Sequence, residues 1–215
     1  MSQYLIFAIG FLAQILFSGR LLVQWIASEK AHKVLSPTLF WQLSMAASFM
    51  LCLYGWLRDD FAIILGQMIS YYVYIWNLNA KGAWIKIPLP MRVLFLLLPV
   101  AAIVYFISGG QQTFDGLFRQ ENIPLWLLIF GVAGQFTFTL RFIYQWYYSR
   151  RAGESMLPLT FWAISVTGSA MIISYAIIRH DPVLIIGQAT GMVVYVRNIM
   201  IGLRAGKRSA ENPGQ

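Results

Sequence analysis

Charge is scarce in this chain. Lys, Arg, Asp and Glu supply 11% of its 215 residues, against about 25% in ordinary soluble domains. With 59% of residues hydrophobic, a soluble globular domain is excluded and a membrane protein is expected. Cysteine is nearly absent: Cys52 stands alone in an apolar run, so no intrachain disulfide exists. The two histidines, His32 and His180, lie at loops. There is no metal-ligand cluster, no nucleophile beside a base, no Walker motif and no Gly-rich dinucleotide loop. Enzymatic activity, a metal and a cofactor are therefore not expected. Nothing basic precedes the first apolar stretch, which is too long for the core of a cleavable signal peptide, so none is expected. The net charge of +8 does not indicate nucleic-acid binding, because the basic residues sit in short loops beside apolar spans.

What the chain does contain is itself, twice. Residues 10–77 align with residues 131–198 at a constant offset of 121 without a gap, and 23 of the 68 pairs are identical. They include Gly10/Gly131, Phe17/Phe138, Arg20/Arg141, Gln24/Gln145, Trp25/Trp146, Ser28/Ser149, Pro37/Pro158, Trp41/Trp162, Ser44/Ser165, Tyr54/Tyr175, Gln67/Gln188, Tyr74/Tyr195 and Asn77/Asn198. Tandem halves of strongly apolar sequence are a plan typical of transporters.

The apolar runs are continuous rather than alternating, which favours helices over barrel strands. Seven spans of roughly 20 residues are expected at about 4–27, 38–57, 60–79, 91–108, 125–148, 158–178 and 182–203. The expected fold is an all-α membrane protein in a 3+1+3 arrangement. Residues 1–80 form a first three-helix repeat, 81–120 a linker with a connecting helix, 121–204 a second repeat and 205–215 a disordered tail. Four crossings separate the copies, so the repeats are parallel. One side of the membrane would hold Lys30, Lys33, Lys81, Lys86, Arg92, Arg150, Arg151, Arg204, Lys207 and Arg208, and the other only Arg58, Arg119 and Arg179. The positive-inside rule then puts the N-terminus in the periplasm and the C-terminus in the cytoplasm of a bacterial inner-membrane protein.

The duplicated residues recur at steps of three and four, at 10, 14, 17, 20, 24 and 28 in the first span, so each helix has one kept face. Lipid tolerates any apolar side chain, so kept faces are expected to point inward. Small residues such as Gly10, Ser44, Ser48 and Gly66 suit close helix packing. Arg20 and Arg141 lie about two turns inside the membrane, with Gln24 and Gln145 one turn further along the same face. An intramembrane arginine costs at least ~2.5–3.5 kcal/mol, yet all eight acidic residues fall in loops, tails or helix ends. Two readings stand: the arginines bind a phosphate-bearing substrate, or they snorkel to lipid headgroups.

Arg197 has no twin, since Trp76 occupies the matching position, and reads as an interfacial anchor. Asp60 and Asp181 suit helix N-caps, which leaves proton coupling poorly supported. Pro37 and Pro158 suit helix starts. Trp25 and Trp146 lie where interfacial anchors are expected, or could stack on a sugar. Gln67 and Gln188, inside spans 3 and 7, are candidates to face sugar hydroxyls or to bridge the halves. Tyr74, Tyr195, Asn77 and Asn198 continue that stripe.

The helix plan resembles the PQ-loop and SWEET transporters, although Val23 and Tyr144 stand where the PQ-loop proline would be. The segments FSGRLLVQWIASEKAHKVLSPTLFWQLS and FTLRFIYQWYYSRRAGESMLPLTFWAIS, with their shared R-x-x-x-Q-W-x-x-S run, more closely resemble the bacterial family named after the lipid-A-disaccharide synthase N-terminal domain. That resemblance covers nearly the whole chain. It implies work on polyprenyl-phosphate sugars or lipid A precursors, with a phospholipid or polyprenyl-phosphate lipid and a polyprenyl-phosphate glycosyltransferase as partners. It does not carry synthase activity over to this chain.

The leading expectation is a transporter or flippase for a lipid-linked sugar. In it Arg20, Arg141, Gln24 and Gln145 hold the phosphate, and Gln67 and Gln188 face the sugar. A SWEET-like carrier of a small solute and a non-transporting membrane partner of a glycosyltransferase are the alternatives.

Overall fold

A computed structural model of the chain describes residues 3–57, 61–108, 124–178 and 182–211. Seven α-helices are found among them. They are α1 (Gln3–Ala31), α2 (Thr38–Leu57), α3 (Phe61–Ala80), α4 (Leu89–Ser108), α5 (Leu125–Ala152), α6 (Leu159–Ile178) and α7 (Pro182–Glu211), with a 3-10 turn at Trp84–Lys86 before α4. No strand occurs among the described residues. Asp60 and Asp181, expected as N-caps, lie outside the described residues, as do Arg58, Arg119, Arg179 and His180.

Three stretches are long and apolar enough to cross a membrane: Tyr4–Ala31, Leu125–Ala152 and Leu159–Ile178. The apolar stretches Thr38–Tyr54 and Leu89–Ala101 are shorter. These features make the chain a membrane protein. The helices α1 and α5 continue past the spans expected for them, to Ala31 and Ala152, and so carry Ser28 and Ser149 in helical register with Arg20 and Arg141. Helix α7 differs more. A disordered tail is expected at 205–215, but the helix continues through Glu211 and carries Arg204, Lys207 and Arg208.

The helix boundaries follow from local chemistry. Pro37 and Pro158 precede α2 and α6, and their carbonyls accept the amides of Phe40 (3.1 Å) and Phe161 (3.0 Å). A proline there loses no helical hydrogen bond. Helix α5 ends at Gly153, whose φ of 74° is left-handed, the usual chirality for a helix stop. The same position after α1 holds His32 with φ 52°, a conformation that strains a residue bearing a Cβ.

The chain divides into two compact units. One takes α1 through Arg20 together with α2 from Trp41, α3 and α4; the other takes Leu21–Phe40 together with α5, α6 and α7. In the first unit α1 lies close to α2: a Cβ placed on Gly10 would meet the Tyr54 ring at 3.0 Å. Helix α4 joins through Phe49–Phe95 (5.3 Å between ring centres) and Trp56–Tyr105 (5.7 Å). In the second unit the twin of the Gly10 contact recurs, with a Cβ on Gly131 meeting the Tyr175 ring at 2.7 Å. A Cβ on Gly168 would strike the backbone, rather than a ring, of Phe138 at 2.8 Å. Small residues thus set the helix spacing.

Candidate functional site

The duplicated polar residues at Arg20, Gln24 and Ser28 sit in similar buried surroundings in each half. Arg20 is 6% exposed and Arg141 5%, so both side chains are folded into protein, and snorkelling to a headgroup layer does not describe them. Arg20 Nη1 donates to Ser44 Oγ and to the Tyr74 hydroxyl, both at 2.9 Å. Its guanidinium carbon lies 4.6 Å from the Phe17 ring centre and 5.6 Å from that of Tyr74. Arg141 Nη1 reaches the Tyr195 hydroxyl at 3.5 Å. Its guanidinium carbon lies 3.3 Å from the Phe138 ring centre, 4.7 Å from Phe142, 5.8 Å from Phe161 and 5.7 Å from Tyr195. A desolvated cation–π contact contributes about 2 kcal/mol and a hydrogen bond to a charged group about 1.5–3 kcal/mol. Rings and hydroxyls can therefore offset the cost of an intramembrane arginine without a carboxylate beside it.

Gln24 and Gln145 sit one turn on and are fully buried. Gln24 Nε2 donates to Ser28 Oγ (2.9 Å) and to the Leu35 carbonyl (3.2 Å), while the Leu35 amide donates to Ser28 Oγ (3.0 Å). Gln145 repeats this on Ser149 Oγ (2.8 Å) and the Met156 carbonyl (2.9 Å), with the Met156 amide on Ser149 Oγ (3.0 Å). Each Gln–Ser pair therefore fastens the loop that follows its helix. Gln24 also exchanges hydrogen bonds with Asn198: Gln24 Nε2 donates to Asn198 Oδ1 (2.7 Å), and Asn198 Nδ2 donates to Gln24 Oε1 (2.9 Å).

The remaining candidates divide between these clusters and others. Tyr74 and Tyr195 belong with the arginines, and their rings lie beside Trp41 (6.1 Å) and Trp162 (5.9 Å). Asn77 and Asn198 are fully buried and donate to the Val73 (2.8 Å) and Val194 (2.9 Å) carbonyls. Gln67 and Gln188 stand apart, accepting the hydroxyls of Ser48 (2.8 Å) and Ser169 (2.9 Å). Trp25 donates to Glu29 (3.3 Å), and Trp146 lies under the Arg150 guanidinium (5.4 Å).

Arg197, read from sequence as an anchor, is instead half-buried and grips Glu29 with both ends of its guanidinium, Nε to Oε2 at 2.9 Å and Nη2 to Oε1. Neither residue has a duplicated partner, so the repeat gives no sign of the pair. Sequence reasoning also passed over Phe17 and Phe138 as arginine supports and Ser28 and Ser149 as loop fasteners, although all four are duplicated identities. No group of acidic, His and Cys residues able to hold a metal occurs among the described residues.

The fold and its buried polar stripe define an apolar, helical membrane protein with an internal repeat. The chain belongs to the Lipid A Biosynthesis N-terminal domain family, whose sequence pattern it matches twice, at residues 9–79 and 130–200. The second match lies 121 residues after the first at both ends, which is the offset of the repeat. Among its relatives is a lipid-A-disaccharide synthase of Chlamydia caviae, 28% identical over 207 residues, covering 92% of this chain and 33% of that protein. Another, from Chlamydia trachomatis serovar D, is 29% identical over 213 residues, covering 93% of this chain and 34% of the relative. A third, from Chlamydia pneumoniae, is 26% identical over 206 residues, covering 92% and 33%. The chain spans about a third of the length of these curated relatives. No solved structure matches it.

Proposed function

We propose that this protein is a transporter or flippase that moves a lipid-linked, phosphate-bearing sugar across the bacterial inner membrane in lipid A or envelope glycan assembly. The cargo class is a polyprenyl-phosphate sugar or a related lipid A precursor. Seven helices would cross the bilayer as a 3+1+3 parallel repeat, with the N-terminus periplasmic and the C-terminus cytoplasmic. The observation that carries the reading is a buried arginine at the same place in each half, lined by aromatic rings and a tyrosine hydroxyl. A guanidinium stays charged at every physiological pH and offers a planar fork of donors suited to phosphate oxygens. Arg20 and Arg141 are assigned the phosphate, each within its own half. Gln67 and Gln188 are assigned the sugar. Gln24 and Gln145 hold the loops that follow their helices. No catalytic step or cofactor is assigned.

Purified protein in liposomes is expected to move a short-chain polyprenyl-phosphate sugar between leaflets. The double substitution Arg20→Ala plus Arg141→Ala is expected to abolish that movement. Undiminished movement by the double variant would remove the phosphate role.

A second reading is favoured by one observation: the relatives named lipid-A-disaccharide synthase contain the matched region as about a third of their length. In that reading the protein docks a glycosyltransferase to the membrane without transporting. Substitutions at Lys30, Lys33, Arg150 and Arg151 would then impair glycan assembly more than Arg20→Ala and Arg141→Ala.

A further inference from the structure

Six residues on one stripe of α1, from Gly10 to Ser28, recur on one stripe of α5, from Gly131 to Ser149. In each set only the glutamine nearest the helix start is exposed. The second glutamine, the arginine and the serine are buried, and the glycine and phenylalanine half-buried, whereas Gln14 and Gln135 stand open. Exposed apolar positions beside them have changed between the copies: Phe11 matches Val132 and Ile15 matches Phe136, all at least 60% exposed. Exposure therefore allows drift on these helices, and the two glutamines have not drifted.

Both glutamines lie deep in their spans. Gln14 is ten residues past Tyr4 and Gln135 ten past Leu125, the starts of two stretches able to cross a membrane. At about 1.5 Å per residue that is roughly 15 Å, the middle of a hydrocarbon layer ~30 Å thick. A carboxamide open to hydrocarbon is costly unless it meets a polar partner. Packing inside the chain does not account for keeping one exposed at that depth; a polar group from outside the chain does. One turn on, each half also carries a hydroxyl: Ser18, exposed, and Thr139, which donates to the Gln135 carbonyl at 2.9 Å and whose oxygen can still accept. An amide with a hydroxyl one turn away offers donors and acceptors but no charge. That set complements the hydroxyls of a sugar better than a phosphate, for which a guanidinium is suited.

We infer that Gln14 and Gln135 are sugar contacts at mid-membrane, one in each half, seconded by the hydroxyls of Ser18 and Thr139. This rests on the reading of the cargo as sugar-bearing. Gln67 and Gln188 already accept serine hydroxyls, whereas the exposed pair is open to a sugar as it crosses.

The full chain in lipid nanodiscs can be titrated by calorimetry with a short-chain polyprenyl-phosphate hexose, the bare polyprenyl monophosphate and the free hexose. The wild type is expected to bind the hexose lipid more tightly than the monophosphate. Gln14→Met plus Gln135→Met keeps the length of the side chains and removes the amides. It is expected to weaken hexose-lipid binding about tenfold, the effect of one or two neutral hydrogen bonds, while monophosphate binding holds and the SDS unfolding midpoint does not fall. Phe11→Leu plus Val132→Leu, on the same exposed surface, is expected to change neither affinity. Should the double methionine variant fail to fold, the two single variants decide, each with a severalfold loss. An undiminished preference for the hexose lipid in the methionine variants overturns the sugar contact and leaves the cargo reading standing. Loss of an oligomer by light scattering with that preference intact also overturns it, and assigns the amides to a second copy of the chain. Equal affinity of the wild type for the two lipids overturns the contact as well, and wild-type binding of none of the three probes overturns contact and cargo together. Competition by the free hexose supports the contact with a soluble sugar as its ligand, and binding confined to the hexose lipid supports it with a lipid-linked one.

Discussion

Gln24 and Asn198, 174 positions apart, exchange two hydrogen bonds with fully buried side chains, so a residue of the first repeat is paired with one of the second. Truncating either leaves an unmet amide at a cost of about 1–3 kcal/mol. Gln24→Ala and Asn198→Ala are each expected to destabilise, and the double variant to fall short of their sum. In membrane proteins such coupling averages about 0.6 kcal/mol and reaches about 1.7 kcal/mol. Unfolding by SDS titration of the four proteins measures it, and strict additivity would show that the exchange contributes nothing.

The turn after α1 gives a second prediction. His32 occupies the left-handed position that Gly153 fills after α5. That conformation costs a residue with a Cβ about 1–2 kcal/mol, while glycine's extra freedom in the unfolded chain returns about 0.4–1 kcal/mol of that gain. His32→Gly is therefore expected to stabilise by about 1 kcal/mol or less, and Gly153→Ala to destabilise by a similar amount. A lowered unfolding midpoint in His32→Gly would mean the imidazole has another role.

Three glycines should rank by what surrounds them. A Cβ at Gly168 meets the Phe138 backbone at 2.8 Å, one at Gly131 meets the Tyr175 ring at 2.7 Å, and one at Gly19 meets nothing within 4 Å. A ring can turn aside but a helix backbone cannot. Overpacking costs about 1–3 kcal/mol, so Gly168→Ala is expected near the top of that range and Gly131→Ala below it. Gly19→Ala is expected to gain up to about 1 kcal/mol from helix propensity. Thermal midpoints in detergent would give the order.

Loop fastening is open to hydrogen exchange. Ser149 Oγ accepts the Met156 amide and the Gln145 side chain. Ser149→Ala is expected to cost about 1 kcal/mol and to speed exchange at Met156 while leaving the middle of α5 protected. Unchanged exchange at Met156 would show that the loop is held by other means.

Much of this arrangement is legible in the sequence because duplication filters it. A lipid-facing position drifts among apolar residues, whereas Gly10 must leave room for Tyr54 and Ser48 must meet Gln67; the twins of all four are kept. Spacing alone gives the buried face of α1 at Arg20, Gln24 and Ser28, but Gln14 on the same stripe is exposed. What spacing cannot supply is the conformation of a loop. Gln24 bonds to a carbonyl eleven residues away, and only the folded turn brings Leu35 back to it, so a residue that fastens a loop has the sequence pattern of one that binds a ligand. The arginine boxes show the other limit: spacing alone does not say that Ser44 accepts from Arg20 or that Ser165 donates to the Phe161 carbonyl. The extension of α7 was missed because polar residues after an apolar span have the composition of a tail.

The clasp between Glu29 and Arg197 takes one residue from each copy and has no counterpart at the matching positions. Its side chains are 42% and 31% exposed, so its direct effect on stability is small. Its genetic meaning is larger. At the positions matching Glu29 and Arg197 stand Arg150 and Trp76, so neither copy encodes both members. An ancestor assembled from two identical single-repeat chains with either copy's residues would have had no such clasp. It requires two copies that differ, and a gene cut between them could restore it only by bringing the two different fragments together.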